Sequence, residues 1–204
     1  MFEKLLAFIF PPRKDEKMLH ALSKDEFLGY LSPTEFYLDE LTVLTLLSFR
    51  NATVRAAVHE AKYHGTTRAQ EFLAAALSEY LKDADDYRAR QIVLVPIPLG
   101  RLRQQARGFN QVEEVAKKTA KELGLMLETG LLERVRETVS QVTLPREARR
   151  KNMSGAFRAI KEANPAYLYI VMDDVVTTGA TLEAAVAAVR ASGALHIEAL
   201  ALTH

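Results

Sequence analysis

Residues 167–190 constrain the fold more than any other part of this chain. The run Tyr167-Leu-Tyr-Ile-Val-Met-Asp173-Asp174-Val-Val-Thr177-Thr178-Gly179-Ala180-Thr181 is first apolar and rich in strand formers, then abruptly carboxylic, then small and hydroxylated. An Ala-rich segment, Leu182 to Arg190, follows at once, and Thr181 is a good N-cap residue type. The order predicts strand, loop and helix. A helix start leaves backbone N–H groups unpaired and carries partial positive charge, so the junction suits a phosphate. Gly179 and Ala180 let an anion approach the backbone, and Thr177, Thr178 and Thr181 offer hydroxyl donors. A hydrogen bond to a charged group is worth about 1.5–3 kcal/mol and the helix end adds about 0.3–1 kcal/mol. Several donors therefore hold a phosphate that none holds alone. Asp173 and Asp174 would repel it and are better placed to accept hydrogen bonds from sugar hydroxyls, so the whole suits a ribose 5-phosphate. The plainer alternative is a strand, turn and helix in which the two Asp only cap the turn.

The segment Val171 to Thr181 resembles the phosphoribosyl-diphosphate (PRPP) loop of type I phosphoribosyltransferases, in the form seen in the ComF family of competence-related proteins. Further motifs carry the same resemblance. Ala61-Lys62-Tyr63-His64-Gly65 is similar to a Lys-Tyr-x-Gly signature, and Val95-Pro-Ile-Pro98 followed by Arg107-Gly-Phe-Asn-Gln111 matches the family's Val-Pro-x-Pro and Arg-Gly-Phe-Asn-Gln. Thr138, Gln141, Leu144, Arg149, Asn152 and Gly155-Ala-Phe157 fit a further family pattern, in a region where type I enzymes close a loop over the diphosphate.

The resemblance implies PRPP as ligand and Mg2+ as cofactor, carried mainly by the diphosphate. It implies that Thr177, Thr178, Gly179, Ala180 and Thr181 grip the 5-phosphate while Asp173 and Asp174 hold the ribose. Lys62, Arg101, Arg103, Arg107 and Arg149 would stabilise the leaving diphosphate, Arg107 most directly, since the planar guanidinium suits phosphate oxygens. Read without the resemblance, Lys62 is a solvated lysine near a helix end, Arg101 and Arg103 are surface residues, and the stretch around Arg149 is a basic surface helix. The acceptor is not legible, and no residue has the look of a general base.

Composition supplies bounds. With 204 residues, 49% hydrophobic and 26% charged, the chain can bury a full core. A net charge of +1 argues against a protein dominated by bulk nucleic acid. Arg134 to Lys151 nevertheless holds six basic against two acidic residues, a local patch. Cys is absent, which excludes disulfides, thiolate catalysis and Cys-type zinc sites. Members of the ComF family usually carry two Cys pairs after a start like Phe8-Ile-Phe-Pro-Pro-Arg13; here no zinc is expected, and residues 1–35 read as a metal-free helical appendage. The five His lie in no metal-ligand spacing, and none is assigned a role.

Periodicity predicts helix from about Tyr37, on Leu41, Leu44, Leu47, Val54, Ala57, Val58 and Ala61, with Gly65 as stop, and a second helix from Ala69 to about Leu81. Gln91 to Pro96 reads as a buried strand, Arg101 to Arg107 as a basic loop, and Asn110 as the N-cap of a helix running to about Gly124. Leu131 to Arg136 and Leu195 to Leu202 read as strands.

The expected fold is α/β, a largely parallel sheet flanked by helices of the phosphoribosyltransferase type, with an N-terminal helical hood or appendage over 1–85 and the main domain over 86–204. The expected function is transfer of phosphoribose to an acceptor, linked to DNA uptake. The alternative is a non-catalytic module of the same fold that binds a nucleotide or single-stranded DNA beside a DNA-uptake helicase; a purely structural adaptor is a third. A homodimer is left open. No run reaches a membrane span and Met1 to Phe10 lacks the marks of a signal peptide, so a cytoplasmic location is expected.

Overall fold

The computed structural model describes residues 13–38, 41–83, 90–136, 153 and 155–204. Its elements are α1 (Lys14–His20), α2 (Lys24–Leu28), β1 (Leu31–Leu38), β2 (Leu41–Leu47), α3 (Ala52–His59), a π-helical turn (Glu60–His64), α4 (Thr67–Asp83), β3 (Ile92–Pro96), α5 (Arg101–Arg107), α6 (Gln111–Leu123), β4 (Met126–Leu127), β5 (Leu132–Arg134), β6 (Phe157–Ala159), β7 (Leu168–Val175), α7 (Ala180–Ala191) and β8 (His196–Thr203). Six strands form one sheet in the order β1-β2-β8-β7-β3-β4, and β5 with β6 forms a separate antiparallel pair. All pairs in the large sheet are parallel except β1 with β2 at its edge.

The sheet is covered on both faces, as parallel sheets require. Along β7, Leu168, Ile170 and Met172 face a core shared with Val54 and Val58 of α3, Leu73 and Leu77 of α4, and Val112 and Val115 of α6. Tyr169 and Val171 face the other core, with Leu182, Val186 and Val189 of α7 and Leu132 and Phe157 of the small sheet. This two-sided burial is why β7 reads in sequence as an unbroken apolar run. Each fully buried Leu or Ile contributes roughly 1.5–3 kcal/mol.

The helical reading that starts at Tyr37 is corrected: residues 37–38 and 41–47 lie in strands. The three-residue spacing of Leu41, Leu44 and Leu47 mimics a helix face, but β2 lies between β1 and β8. Its Val43 packs into one core and its Leu46 and Leu47 into the other, so the leucine period carries no facial meaning. The β-branched Thr42, Val43 and Thr45 favour the extended form. Strands β1 and β2 thus join the same sheet as β3, β7 and β8. The basic stretch expected as a loop is also corrected, since Arg101–Arg107 is a one-sided helix with no buried residue, ended by Gly108 in the left-handed region at φ 77°. Asn110 caps α6 as expected, its side chain accepting from the Val112 N–H at 3.1 Å. The apolar start at Phe8 and the motif from Thr138 to Asn152 lie outside the described residues.

One ion pair ties the first described helix to the π-helical turn. Glu60, with a side chain only 1% exposed, accepts from Arg13 through both oxygens at 2.9 and 2.7 Å and from the Thr66 hydroxyl at 2.7 Å. The Arg13 hydrogen bond outweighs burial and holds the Glu60 carboxyl below its ordinary value of 4.5. Removing Arg13 strands a buried carboxylate, and breaking such a pair costs about 3 kcal/mol. Arg13→Ala is therefore expected to lower the urea midpoint at pH 7. A group with a depressed folded pKa stabilises above its unfolded value and loses that contribution as pH falls through the folded one. The gap between variant and wild type should accordingly narrow as the titration is repeated below pH 4.

Candidate functional site

The C-terminal ends of β3 and β7 lie side by side, with Pro96 in register with Met172 and the Ile97 N–H donating to the Met172 carbonyl at 2.9 Å. In an open parallel sheet this is where ligands bind. From this point one chain leaves through Ile97, Pro98 and Leu99 to α5, and the other through Asp173 and Asp174 to α7. Between them is a cavity of about 320 Å³, lined among others by Lys62, Arg103, Arg107, Asp173, Asp174, Thr177 and Thr181. These residues come from three separate stretches of sequence.

Asp174 is the most constrained side chain of the site. One carboxylate oxygen accepts from the Lys62 ammonium at 2.8 Å and the Gln111 amide at 2.7 Å, while the other accepts from the Val175 N–H at 2.8 Å. Burial disfavours its charge, but Lys62, Gln111 and Val175 outweigh burial and hold Asp174 below the usual carboxylate range. Asp173 differs. Burial and the adjacent Asp174 charge push its carboxyl up to about 7, against the Asp174 N–H, which donates to it at 2.8 Å, and the Lys62 charge. One carboxyl of the pair is thus a fixed acceptor and the other holds its proton near neutrality, a division that two adjacent buried carboxyls impose on each other.

Three motifs meet here by direct contact. Lys62 pairs with Asp174; the Arg107 guanidinium lies 5.3 Å from the centre of the Tyr63 ring; and a Cβ on Gly65, at φ 62°, would stand 3.0 Å from the Phe109 ring. The π-helical turn makes this geometry. A wider turn offsets Lys62 and Tyr63 from the α-helical register of α3, and π-turns of this kind recur at functional sites.

Gln111 has no assigned role in the sequence reading, yet it joins two of the residues that do. Its amide donates to Asp174 while its oxygen accepts from Arg107 at 3.1 Å, and the residue is 4% exposed. The signal was its place four residues after Arg107. Gln111→Leu removes a hydrogen bond to a charged group, worth about 1.5–3 kcal/mol, and frees Arg107 as well. A roughly tenfold to hundredfold loss of anion affinity is expected by calorimetry, with an unchanged far-UV circular dichroism spectrum separating this from misfolding.

At the phosphate loop, Thr177 is exposed and lines the cavity with Thr181, whereas Thr178, Gly179 and Ala180 are not among the lining residues. Thr181 is not the N-cap. Gly179 takes that place at φ 75°, with no side-chain cap, and the first helical bond runs from the Glu183 N–H to the Gly179 carbonyl at 2.8 Å. The backbone N–H groups of the first turn, residues 180–182, therefore have no acceptor within the helix. Arg101 is exposed and outside the cavity, while Arg134 of β5 lines it and stacks over Phe157 at 5.4 Å. Arg149 lies outside the described residues.

The π-helical turn brings His59, Glu60 and His64 together, with one potential ligand atom from each within 4.8 Å of the others. Glu60 is already neutralised by Arg13, and His59 faces Asp15 at 3.5 Å. Among the described residues no helix is long and apolar enough to cross a membrane.

Competence protein F of Haemophilus influenzae is 33% identical over 109 residues, 50% of this chain and 48% of that protein. The DNA utilization protein YhgH of Salmonella typhi is 35% identical over 131 residues, 61% of this chain and 56% of that protein, and YhgH of Escherichia coli is 34% identical over 89 residues, 44% and 39% respectively. The chain spans about half the length of the curated relatives it matches. No family model matches it. Among solved structures, adenine phosphoribosyltransferase from Leishmania tarentolae superposes with a TM-score of 0.45 at 14% identity, over 84% of this chain and 94% of that one. Over the shared residues, this α/β chain is a homologue of competence protein F and of the YhgH DNA utilization proteins.

Proposed function

We propose that the cavity binds PRPP and that the chain transfers its phosphoribosyl group to an acceptor. The observation that carries this reading is the convergence of Lys62, Arg103, Arg107, Asp173, Asp174, Thr177 and Thr181 on one cavity at the C-terminal strand ends. The lining combines cations, carboxyls, and hydroxyls beside a helix start, the chemistry that the diphosphate, ribose and 5-phosphate of PRPP call for. The first turn of α7 takes the 5-phosphate, Asp173 and Asp174 accept from the ribose hydroxyls, and Arg103, Arg107 and Lys62 face the diphosphate. As the bond from the sugar C1 to the diphosphate breaks, positive charge grows on the sugar and negative charge on the leaving group. Carboxylates below the first and guanidinium groups beside the second stabilise both, without reorganisation at the moment of reaction.

The donor set fits magnesium, since Asp173 and Asp174 offer oxygen only and a hard cation takes oxygen. When bound with the diphosphate, Mg2+ would neutralise charge on the leaving group. Lys62 is held on Asp174 in this structure, so its move to the diphosphate exchanges one anionic partner for another.

A second reading has its own observation. Helix α5 is exposed from Arg101 to Ala106, with Leu102 68% exposed beside Arg101 and Arg103, and its Arg103 and Arg107 also line the cavity. The names of the relatives, competence and DNA utilization, support single-stranded DNA as the partner of such a surface. Calorimetry separates the readings. PRPP with magnesium is expected to bind the wild type and not the Asp173→Asn/Asp174→Asn double variant. Absence of PRPP binding, together with single-stranded DNA binding that falls steeply between 50 and roughly 200 mM salt, would replace the first reading with the second.

A further inference from the structure

A second cavity, of about 390 Å³, adjoins the first and shares Phe49, Lys62 and Val175 with it. Of the motif residues named above, Lys62, Tyr63 and Val175 reach it. Its apolar wall is Met18 of α1 with Ala56 and Val58 of α3, and its volume falls within the range of small-molecule sites. Two aromatic side chains border it, Phe49 and Tyr63. Tyr63 is 57% exposed, an aromatic ring that the core does not use, tilted at 52° against His59 with 4.8 Å between ring centres. The charges are one-sided. Lys14, Arg55 and Lys62 line the cavity with Asp15 as the one acidic lining residue, and Asp15 is already opposite His59 at 3.5 Å. Arg55 is held in place by donating to the carbonyls of Phe49 and Arg50 at 3.4 and 3.2 Å.

Resting on the phosphoribosyl reading above, we infer that this second cavity is the acceptor subsite and that the acceptor is an aromatic ring bearing a carboxylate or another anionic group. The ring lies against the Met18, Ala56 and Val58 wall beside Phe49 and Tyr63, and its anionic group faces Lys14 and Arg55. Its nucleophilic nitrogen or oxygen points across the shared wall toward the sugar C1. There the acceptor forms a bond to C1 while the C1–oxygen bond to diphosphate breaks; the electron pair leaves with the diphosphate, and the acceptor proton goes to water at the open rim. Arg55 and Lys14 discriminate by charge, because a neutral ring of the same shape leaves two cations of the wall without an anion.

The test uses the full chain and saturation-transfer NMR with 2-aminobenzoate, 1-naphthoate and their neutral amides. The carboxylates are expected to bind at least about tenfold more tightly than the amides, a difference of about 1.4 kcal/mol. The Lys14→Gln/Arg55→Gln double variant should erase that preference. Ala52, exposed on the first turn of α3 and lining this cavity alone, provides a block: Ala52→Trp should abolish carboxylate binding and leave PRPP calorimetry unchanged. With both ligands present, an interligand NOE is expected between the probe ring and the sugar H1. Equal binding of amides and carboxylates, a carboxylate signal that survives Ala52→Trp, or displacement of the probe by PRPP would each overturn the inference. PRPP binding without carboxylate binding overturns the inference and leaves the phosphoribosyl reading standing. Carboxylate binding without PRPP binding removes both that reading and the acceptor role.

Discussion

Asp174→Asn is expected to lower PRPP-dependent diphosphate release by about a hundredfold to a thousandfold, the range seen when one preorganised electrostatic partner is removed from a site. Asp174 is 7% exposed and accepts from Lys62, Gln111 and the Val175 N–H. An Asn in its place cannot accept from all three, since its amide end is a donor, and Lys62 loses its anionic partner in the empty site. The variant also removes the negative charge that favours the cationic sugar. Thr177→Ala removes one exposed hydroxyl from a loop with several donors, so less than about a tenfold loss is expected from a hydrogen bond of this kind. Steady-state diphosphate release measures both. Equal losses in the two variants would contradict the division of labour between ribose and phosphate ends. The fold provides its own control: the Thr203 hydroxyl donates to the Asp174 main-chain carbonyl at 3.1 Å, a bond the substitution leaves in place.

Gly179→Val is the second large effect. Gly179 sits at φ 75°, and a Cβ there would collide with the Leu38 side chain. The left-handed conformation costs a residue with a side chain roughly 1–2 kcal/mol, and the collision then moves either the loop or the end of β1. Both outcomes displace the first turn of α7, whose N–H groups face the proposed phosphate. PRPP affinity is expected to fall by about a hundredfold or more, measured by calorimetry, with the thermal midpoint lowered as well. Gly124→Ala separates strain from collision. Gly124 is also left-handed, at φ 66°, but a Cβ there meets nothing within 4 Å. This variant should lose stability by about 1 kcal/mol and keep its ligand affinity. Loss of PRPP binding in Gly124→Ala would mean that the assay reads general destabilisation rather than the loop.

The local elements that surround the cavity were legible because their signals are local. A run of strand formers ended by two carboxyls, a Gly at a loop apex, and an Asn before an amphipathic run each act within a few residues, and β7, the loop to α7, β3 and the Asn110 cap all lie where the sequence placed them. Residues 37–47 misled because a strand buried on both faces loses its two-residue alternation, leaving Leu41, Leu44 and Leu47 to imitate a helix. Thr181 is the better cap type, but the left-handed Gly179 starts the helix two residues earlier, where the chain passes close to Leu38.

The sequence by itself determined that the β3 end would be followed by a basic stretch and the β7 end by a small, hydroxylated, Gly-containing loop, since residue type and order suffice for that. Only the tertiary structure decided which side chains meet. Gln111 bridges Arg107 to Asp174, Tyr63 lies under Arg107, and Gly65 gives room to Phe109, because a parallel sheet and one π-helical turn bring together residues far apart in the chain. The same holds for the unequal carboxyls. Asp173 and Asp174 are identical in sequence, and what separates their proton affinities is that the Lys62 ammonium and the Gln111 amide both reach Asp174. Contacts of that kind are set by packing over distances that no local pattern encodes.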